Sequence, residues 1–100
     1  MPFVNTQAYD FNASTIKPIN QVGGIYGLST PMPNKPGHHE ILYVGQAKDL
    51  RERLSYWLNN PPGPGVTHFF ADVVEGEAAR TLREAQLIKE FQPRYNTLLK

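Results

Sequence analysis

The sequence predicts a small α/β sandwich, a mainly antiparallel sheet of three strands flanked by helices. Its apolar period changes along the chain in the order strand, strand, helix, strand, helix. The chain has 100 residues, enough for one core and too few for a second. The two tracts richest in proline and glycine, STPMPNKPGHHE and NNPPGPG, fall between the periodic segments rather than inside them.

Residues 1–20 show no period. Residues 1–17 read as an arm, and Pro18 sets an extended entry into a domain spanning 18–100. Val22 to Leu28 and Ile41 to Gly45 are short, β-branched and aromatic, the pattern of two strands paired around the proline-rich loop. Asp49 is placed to cap a helix that runs to about Asn59, with Leu50, Leu54, Trp57 and Leu58 on one face. The tract from Asn59 to Gly65 stops it. Thr67 to Val74 alternates as a third strand, with Phe69, Ala71 and Val73 on one face. A second helix runs from Glu77 to Phe91, before Pro93, and the tail PRYNTLLK adds a short extended piece.

Composition narrows the chemistry. The chain has no cysteine, which removes disulfides and thiolate zinc sites and fits a reducing compartment. No run approaches a membrane span, and MPFVNTQAYD lacks the blocks of a signal peptide, so the expectation is a soluble, cytoplasmic protein with no membrane partner. The net charge of +1 is too small to attract nucleic acid broadly, so any phosphate partner must meet a local patch. Lys48, Arg51 and Arg53 form one candidate patch; Arg80, Arg83, Lys89, Arg94 and Lys100 form another. Lys48, Arg51 and Arg94 are candidate backbone-phosphate contacts, set against the alternative of solvated surface charge.

Both helices carry a charge beside their apolar faces. On a wheel of about 100° per residue, Ala78, Leu82, Ala85, Leu87, Ile88 and Phe91 span the apolar arc of the second helix, and Glu84 falls inside it. A carboxylate there needs a partner: an ion pair with Arg80 one turn earlier, or a metal or catalytic role. Arg53 borders the stripe of the first helix, either snorkelling over it or presenting a fork to a phosphate. The adjacent His38 and His39 point to opposite faces of an extended chain and do not share an ion.

The segments GIY (Gly24, Ile25, Tyr26) and YVG (Tyr43, Val44, Gly45), then AKDLRERL, then REAQLIKEFQPRYN, come in an order and spacing that resemble the GIY-YIG nuclease family. Within it the chain is most similar to the UvrC-like nuclease domains of bacterial excision repair. The resemblance covers about residues 18–100 and implies the GIY-YIG endonuclease fold and metal-dependent cleavage of DNA phosphodiesters. It implies a single Mg²⁺ or Mn²⁺ on Glu84, Arg53 on the phosphate being cut, Tyr26 and Tyr43 near the attacking water, and Asn96, Gly24 and Gly45 in support. It also implies a larger repair complex, or a fused recognition domain, as partner. Two positions depart from the family: Trp57 stands where a histidine or tyrosine is common, and Gln46 where UvrC-like domains often have lysine. Tyr56 or His68 is then left to supply the missing group. A non-catalytic DNA-binding module and a protein-interaction domain are the competing readings.

Overall fold

The computed structural model describes residues 7–98, with side chains described through Asn96. The elements in chain order are β1 (Tyr9–Asp10), α1 (Ala13–Ile16), β2 (Gly24–Pro31), β3 (His39–Ala47), α2 (Leu50–Asn59), β4 (His68–Val73), α3 (Glu77–Phe91) and α4 (Arg94–Leu98). The sheet has four antiparallel strands in the order β1-β4-β2-β3, so β3 is an edge. The strand beyond the expected three is β1, whose two residues pair as Tyr9↔Phe69 and Asp10↔His68. Two residues are too few to show a period, so this strand was invisible in the sequence. Ile16 of α1 is buried in the core, which builds part of the 1–17 arm into the fold; residues 1–6 lie outside the described residues.

The helices start and stop for local reasons. Asp49 accepts the Glu52 N–H at 3.0 Å and so caps α2. Gln92 takes the left-handed conformation, φ 46°, and its N–H returns to the Ile88 carbonyl at 2.8 Å, which ends α3. The tail then re-forms as α4 instead of the expected extended piece, because Pro93 suits the entrance of a helix. Tyr95 of α4 donates to the Pro64 carbonyl at 2.5 Å and lies over Gly63, closing the 59–65 linker.

Both faces of the sheet are covered. Tyr26, Leu28, Ala47, Leu50, Leu54 and Phe69 form the cluster under α1 and α2; Ile25, Ile41, Val44, Phe70 and Leu87 form the cluster under α3. Phe69 and Phe70 therefore serve opposite cores, and Val73, expected on the same face as Phe69, is 57% exposed. The apolar arc of α3 is likewise wider than the surface it meets. Leu87 is buried and Glu84, Ile88 and Phe91 are half-buried, but Ala78, Leu82 and Ala85 face outward.

At the far end of the sheet His39 lies against His68, ring centroids 4.9 Å apart, with Ser29 Oγ 3.3 Å from Nδ1 of His39. His68 in turn approaches Asp10 at 3.3 Å. Burial, and then the neighbouring His68, hold the His39 imidazole below its ordinary value. The unfolded chain therefore takes up a proton near pH ~6.5 and the folded chain only below it. This stabilising contribution is complete above that pH and declines as pH falls toward the folded value. Melting temperatures from pH 8 to 5 should drop more steeply for wild type than for His39→Gln. Parallel curves would contradict the assignment.

Candidate active site

The site is built where β2 and β3 pair. Tyr26 stands opposite Gly45 in the register, and a Cβ on Gly45 would land on the Tyr26 hydroxyl. The second glycine thus makes room for the first tyrosine. A Cβ on Gly24 would strike the Asp72 carbonyl of β4 and lie 2.7 Å from Leu50 Cδ1. Each glycine marks a close approach, one by a side chain and one by backbone and helix.

Tyr26 is 2% exposed, and its Oη accepts the Trp57 indole N–H at 2.6 Å. Burial pushes its hydroxyl far above the ordinary tyrosine range, a shift that the Trp57 hydrogen bond opposes without cancelling. Tyr43, half-buried, sits 6.3 Å from the Tyr26 ring and 5.0 Å from Trp57. Its hydroxyl is raised by burial and by the Glu84 charge and lowered by Arg53, so both charged groups act on this phenol. Arg53, on the exposed side of α2, has its guanidinium 5.4 Å from the centre of the Tyr56 ring.

Trp57 therefore answers the position where a histidine or tyrosine was missing: it donates to Tyr26. His68 is at the other end of the sheet with Asp10 and takes no part. Trp57→Phe would leave the buried Tyr26 oxygen without that donor, at a cost of about 1–2 kcal/mol. Chemical denaturation of Trp57→Phe, Tyr26→Phe and the double variant should show coupling of about 1 kcal/mol; additive effects would mean that the contact is energetically idle.

Glu84 projects from α3 beside the β3 edge. Its Oε1 accepts the Gln46 Nε2–H at 2.9 Å, and the same amide nitrogen reaches Thr81 Oγ1 at 3.1 Å. Gln46, noted in the sequence only as a departure, thus orients the carboxylate as a neutral donor. Among the described residues no ion pair joins Glu84 to Arg80. The guanidinium of Arg80 instead lies on the backbone of Gly23 and reaches the Val74 carbonyl at 3.4 Å. Asn96 serves the edge strand itself: Oδ1 accepts the Val44 N–H at 2.8 Å and Nδ2 donates to the Val44 carbonyl at 2.9 Å. One side-chain amide thereby substitutes for a neighbouring strand and ties α4 to the site.

Next to this constellation opens a cleft of about 270 Å³ lined by Gln46, Ala47, Lys48, Asp49, Glu52, Arg53, Glu77 and Arg80. Gln46 links it to Glu84, and the Arg53 charge acts on Tyr43. Of the other basic residues expected to meet phosphate, Arg51 Nε donates to the Ile19 carbonyl at 2.8 Å and Arg94 pairs with Glu40 at 3.1 Å, so both have partners within the fold. Lys100 lies outside the described residues.

Among the described residues no three His, Asp or Glu side chains converge on one point. A cation at this edge would thus be held by Glu84, whose Oε2 is left over by the Gln46 bond, with water and substrate oxygens completing its shell. That donor set fits Mg²⁺ or Mn²⁺, hard ions that prefer oxygen and keep several waters.

Comparison with known proteins agrees in sequence and in shape. The family model of the UvrC-like GIY-YIG domain matches residues 24–97. UvrABC system protein C of Bacteroides fragilis is 35% identical over 89 residues, covering 74% of this chain and 15% of that protein. Its counterpart in Chlamydia trachomatis is 35% identical over 95 residues, covering 86% of this chain and 15% of the other. The chain therefore spans about a seventh of the length of the curated relatives that it matches. Among solved structures, the GIY-YIG N-terminal endonuclease domain of UvrC from Thermotoga maritima, bound to its catalytic magnesium, superposes with a TM-score of 0.69. That match has 27% identity and covers 83% of this chain and 92% of the other.

Proposed function

The chain belongs to the UvrC-like GIY-YIG domain family, and from that premise we propose that it is a divalent-metal-dependent DNA endonuclease that hydrolyses a phosphodiester bond, nicking one strand. The observation that carries the reading is the state of Glu84. A half-buried carboxylate on an apolar helix face has one neutral donor and, among the described residues, no cationic partner. Such a group keeps one oxygen free to meet a cation, and the Mg²⁺-bound relative of matching fold supplies the class of cation.

The bound ion would polarise a phosphoryl oxygen and acidify water. The chain's own residues would do the rest. Glu84 holds the ion, aimed by Gln46. Arg53, on the exposed side of α2 and lining the cleft, meets the phosphate and stabilises charge growing on its oxygens. Tyr43, half-buried on β3 beside this edge, accepts a hydrogen bond from the attacking water through its phenol oxygen and orients it. Its hydroxyl is protonated at neutral pH, so proton removal requires the field at the phenol to change. Neutralising Glu84 makes that change, because the carboxylate is one of the two influences holding the phenol up. Tyr26, enclosed by Gly45 and Trp57, is the scaffold on which Tyr43 rests.

Lys48 adds a backbone contact beside the cleft, and Arg51 and Arg94 contribute through the guanidinium N–H groups that their partners leave over. Residues 18–100 carry the motif residues of the nuclease unit, and the 1–17 arm contributes β1 and α1 to the same fold. The naming of the relatives as components of a UvrABC system supports a role in DNA repair, within a larger assembly that supplies recognition. The test is relaxation of supercoiled plasmid. Wild type should nick with Mn²⁺ and not with EDTA, and Arg53→Ala should be slower by about 10²–10³-fold. Binding of DNA without nicking under any divalent ion would overturn the enzymatic reading.

A further inference from the structure

We propose that Arg80 is a second phosphate-binding residue, and that with Lys48 it forms a subsite in the cleft for a backbone phosphate flanking the one at Arg53. This inference rests on the nucleic-acid reading above and extends the path of the strand from the β3 edge toward the start of α3. Arg80 is not part of the motif pattern by which the family resemblance was read, and its guanidinium has a seat of its own. Gly23 has no side chain where the guanidinium lies: a Cβ there would strike Arg80 Nη1 and come within 3.1 Å of Cζ. A long bond of 3.4 Å to the Val74 carbonyl engages one N–H on Nη1. Seated against Gly23 on a half-buried side chain, the fork has lost part of its freedom before any ligand arrives, which lowers the entropic cost of binding. No carboxylate lies within ion-pair distance of it among the described residues. A preoriented guanidinium on the wall of an open cleft, with Lys48 and Arg53 on the same walls, suits a phosphodiester.

The cleft also carries three acids. Asp49 is committed to the α2 cap through Glu52 N and is approached by Gln21 Nε2 at 3.5 Å. Glu52 and Glu77 are exposed in the first turns of α2 and α3. They form a rim that opposes anions, so removing one charge from it should strengthen binding if the subsite is real.

The experiment measures affinity for a fluorescein-labelled oligonucleotide duplex against salt concentration, in a Glu84→Gln background with Mg²⁺ so that the probe stays intact. Arg80→Gln keeps a donor for the Val74 carbonyl and removes the charge. It should weaken binding about fivefold to tenfold and reduce the slope of log affinity against log salt by about 0.9. Arg80→Lys should recover the slope and only part of the affinity. Glu77→Gln should tighten binding about twofold to threefold and keeps the proposal testable should Arg80→Gln fold poorly. If Arg80→Gln folds and binds with an unchanged slope while Arg53→Ala weakens binding, the subsite is refuted and the nuclease reading stands. Unchanged affinity in Glu77→Gln also counts against the subsite. If neither Arg80→Gln nor Arg53→Ala alters affinity or slope, the nucleic-acid reading itself fails.

Discussion

Glu84→Gln is expected to reduce Mn²⁺-dependent strand cleavage by about 10³-fold or more, roughly 4 kcal/mol of transition-state stabilisation, while leaving the protein at least as stable as wild type. The two halves have one cause. Glutamine has the shape of glutamate and keeps an oxygen for the Gln46 amide, so the local hydrogen bond survives. What disappears is the charge, and with it the carboxylate proposed to hold the ion, for which no cluster of three His, Asp or Glu side chains stands in among the described residues. In the folded protein that half-buried charge has no cationic partner among the described residues, so removing it breaks no ion pair. A residue that is dispensable to stability and indispensable to activity is the expected signature of a functional group. Thermal denaturation and plasmid relaxation on the same preparations check both. A large loss of stability in Glu84→Gln would instead assign the carboxylate a packing role.

The second large effect falls on the fold. Gly24→Ala should lower stability by about 3 kcal/mol or more, which for a domain of this size is a fall of roughly 12–24 °C in melting temperature. Gly24 is on the central strand between Ala47 of β3 and Val73 of β4, and its Cα faces the Asp72 carbonyl and Leu50 of α2. The atoms that a new methyl would meet include backbone on a strand held on both sides, so relief requires moving β4 or α2. Gly45→Ala should behave differently. Its methyl meets the Tyr26 side chain, which can swing only by abandoning the Trp57 N–H, so the damage concentrates on the site. Gly37 supplies the control: it has φ 84° but nothing within 4 Å of a Cβ, so Gly37→Ala meets only backbone strain. Similar melting temperatures for Gly24→Ala and Gly37→Ala would refute the packing argument.

What the sequence made legible follows from how strongly each element repeats itself. The second long helix was expected over Glu77–Phe91, and those are its observed limits. The first was expected from its Asp49 cap to Asn59, which also agrees. Ten and fifteen residues of periodicity, with a cap or a proline at the ends, leave little freedom. The first strand was expected to start two residues early, at Val22 instead of Gly24, and both strands were expected to end or begin short of Ser29–Pro31 and His39–Glu40, which extend the pairing. There the strands are ordered by their partners across the sheet, which no local window contains. The same holds for β1 and α4. Tyr9–Asp10 forms a strand only because β4 offers an edge, and α4 forms because Asn96 and Tyr95 have backbone carbonyls to reach.

The site divides in the same way. Tyr26, Tyr43, Arg53 and Glu84 were expected as site residues from the family resemblance, and the glycines could be suspected of making clearance. Which clearance belongs to which group required three dimensions: Gly45 makes way for Tyr26, Gly24 for Asp72 and Leu50, and Gly23 for Arg80. The two departures from the family pattern, Gln46 and Trp57, are the residues whose roles changed most. Each donates a hydrogen bond to a member of the site, at 2.9 Å to Glu84 and 2.6 Å to Tyr26. A side chain's donor capacity is legible in sequence, but the acceptor that it meets 31 or 38 residues away is not.

The central claim is that one metal-dependent active site on this chain cuts DNA at the edge of β3. The most direct measurement is a time course of supercoiled-plasmid relaxation by wild type and Glu84→Gln, purified in parallel and supplied with Mn²⁺. Conversion to open circles by wild type, with none above the EDTA background for Glu84→Gln, is the predicted result. Equal rates for the two proteins would contradict it and place the activity outside this site.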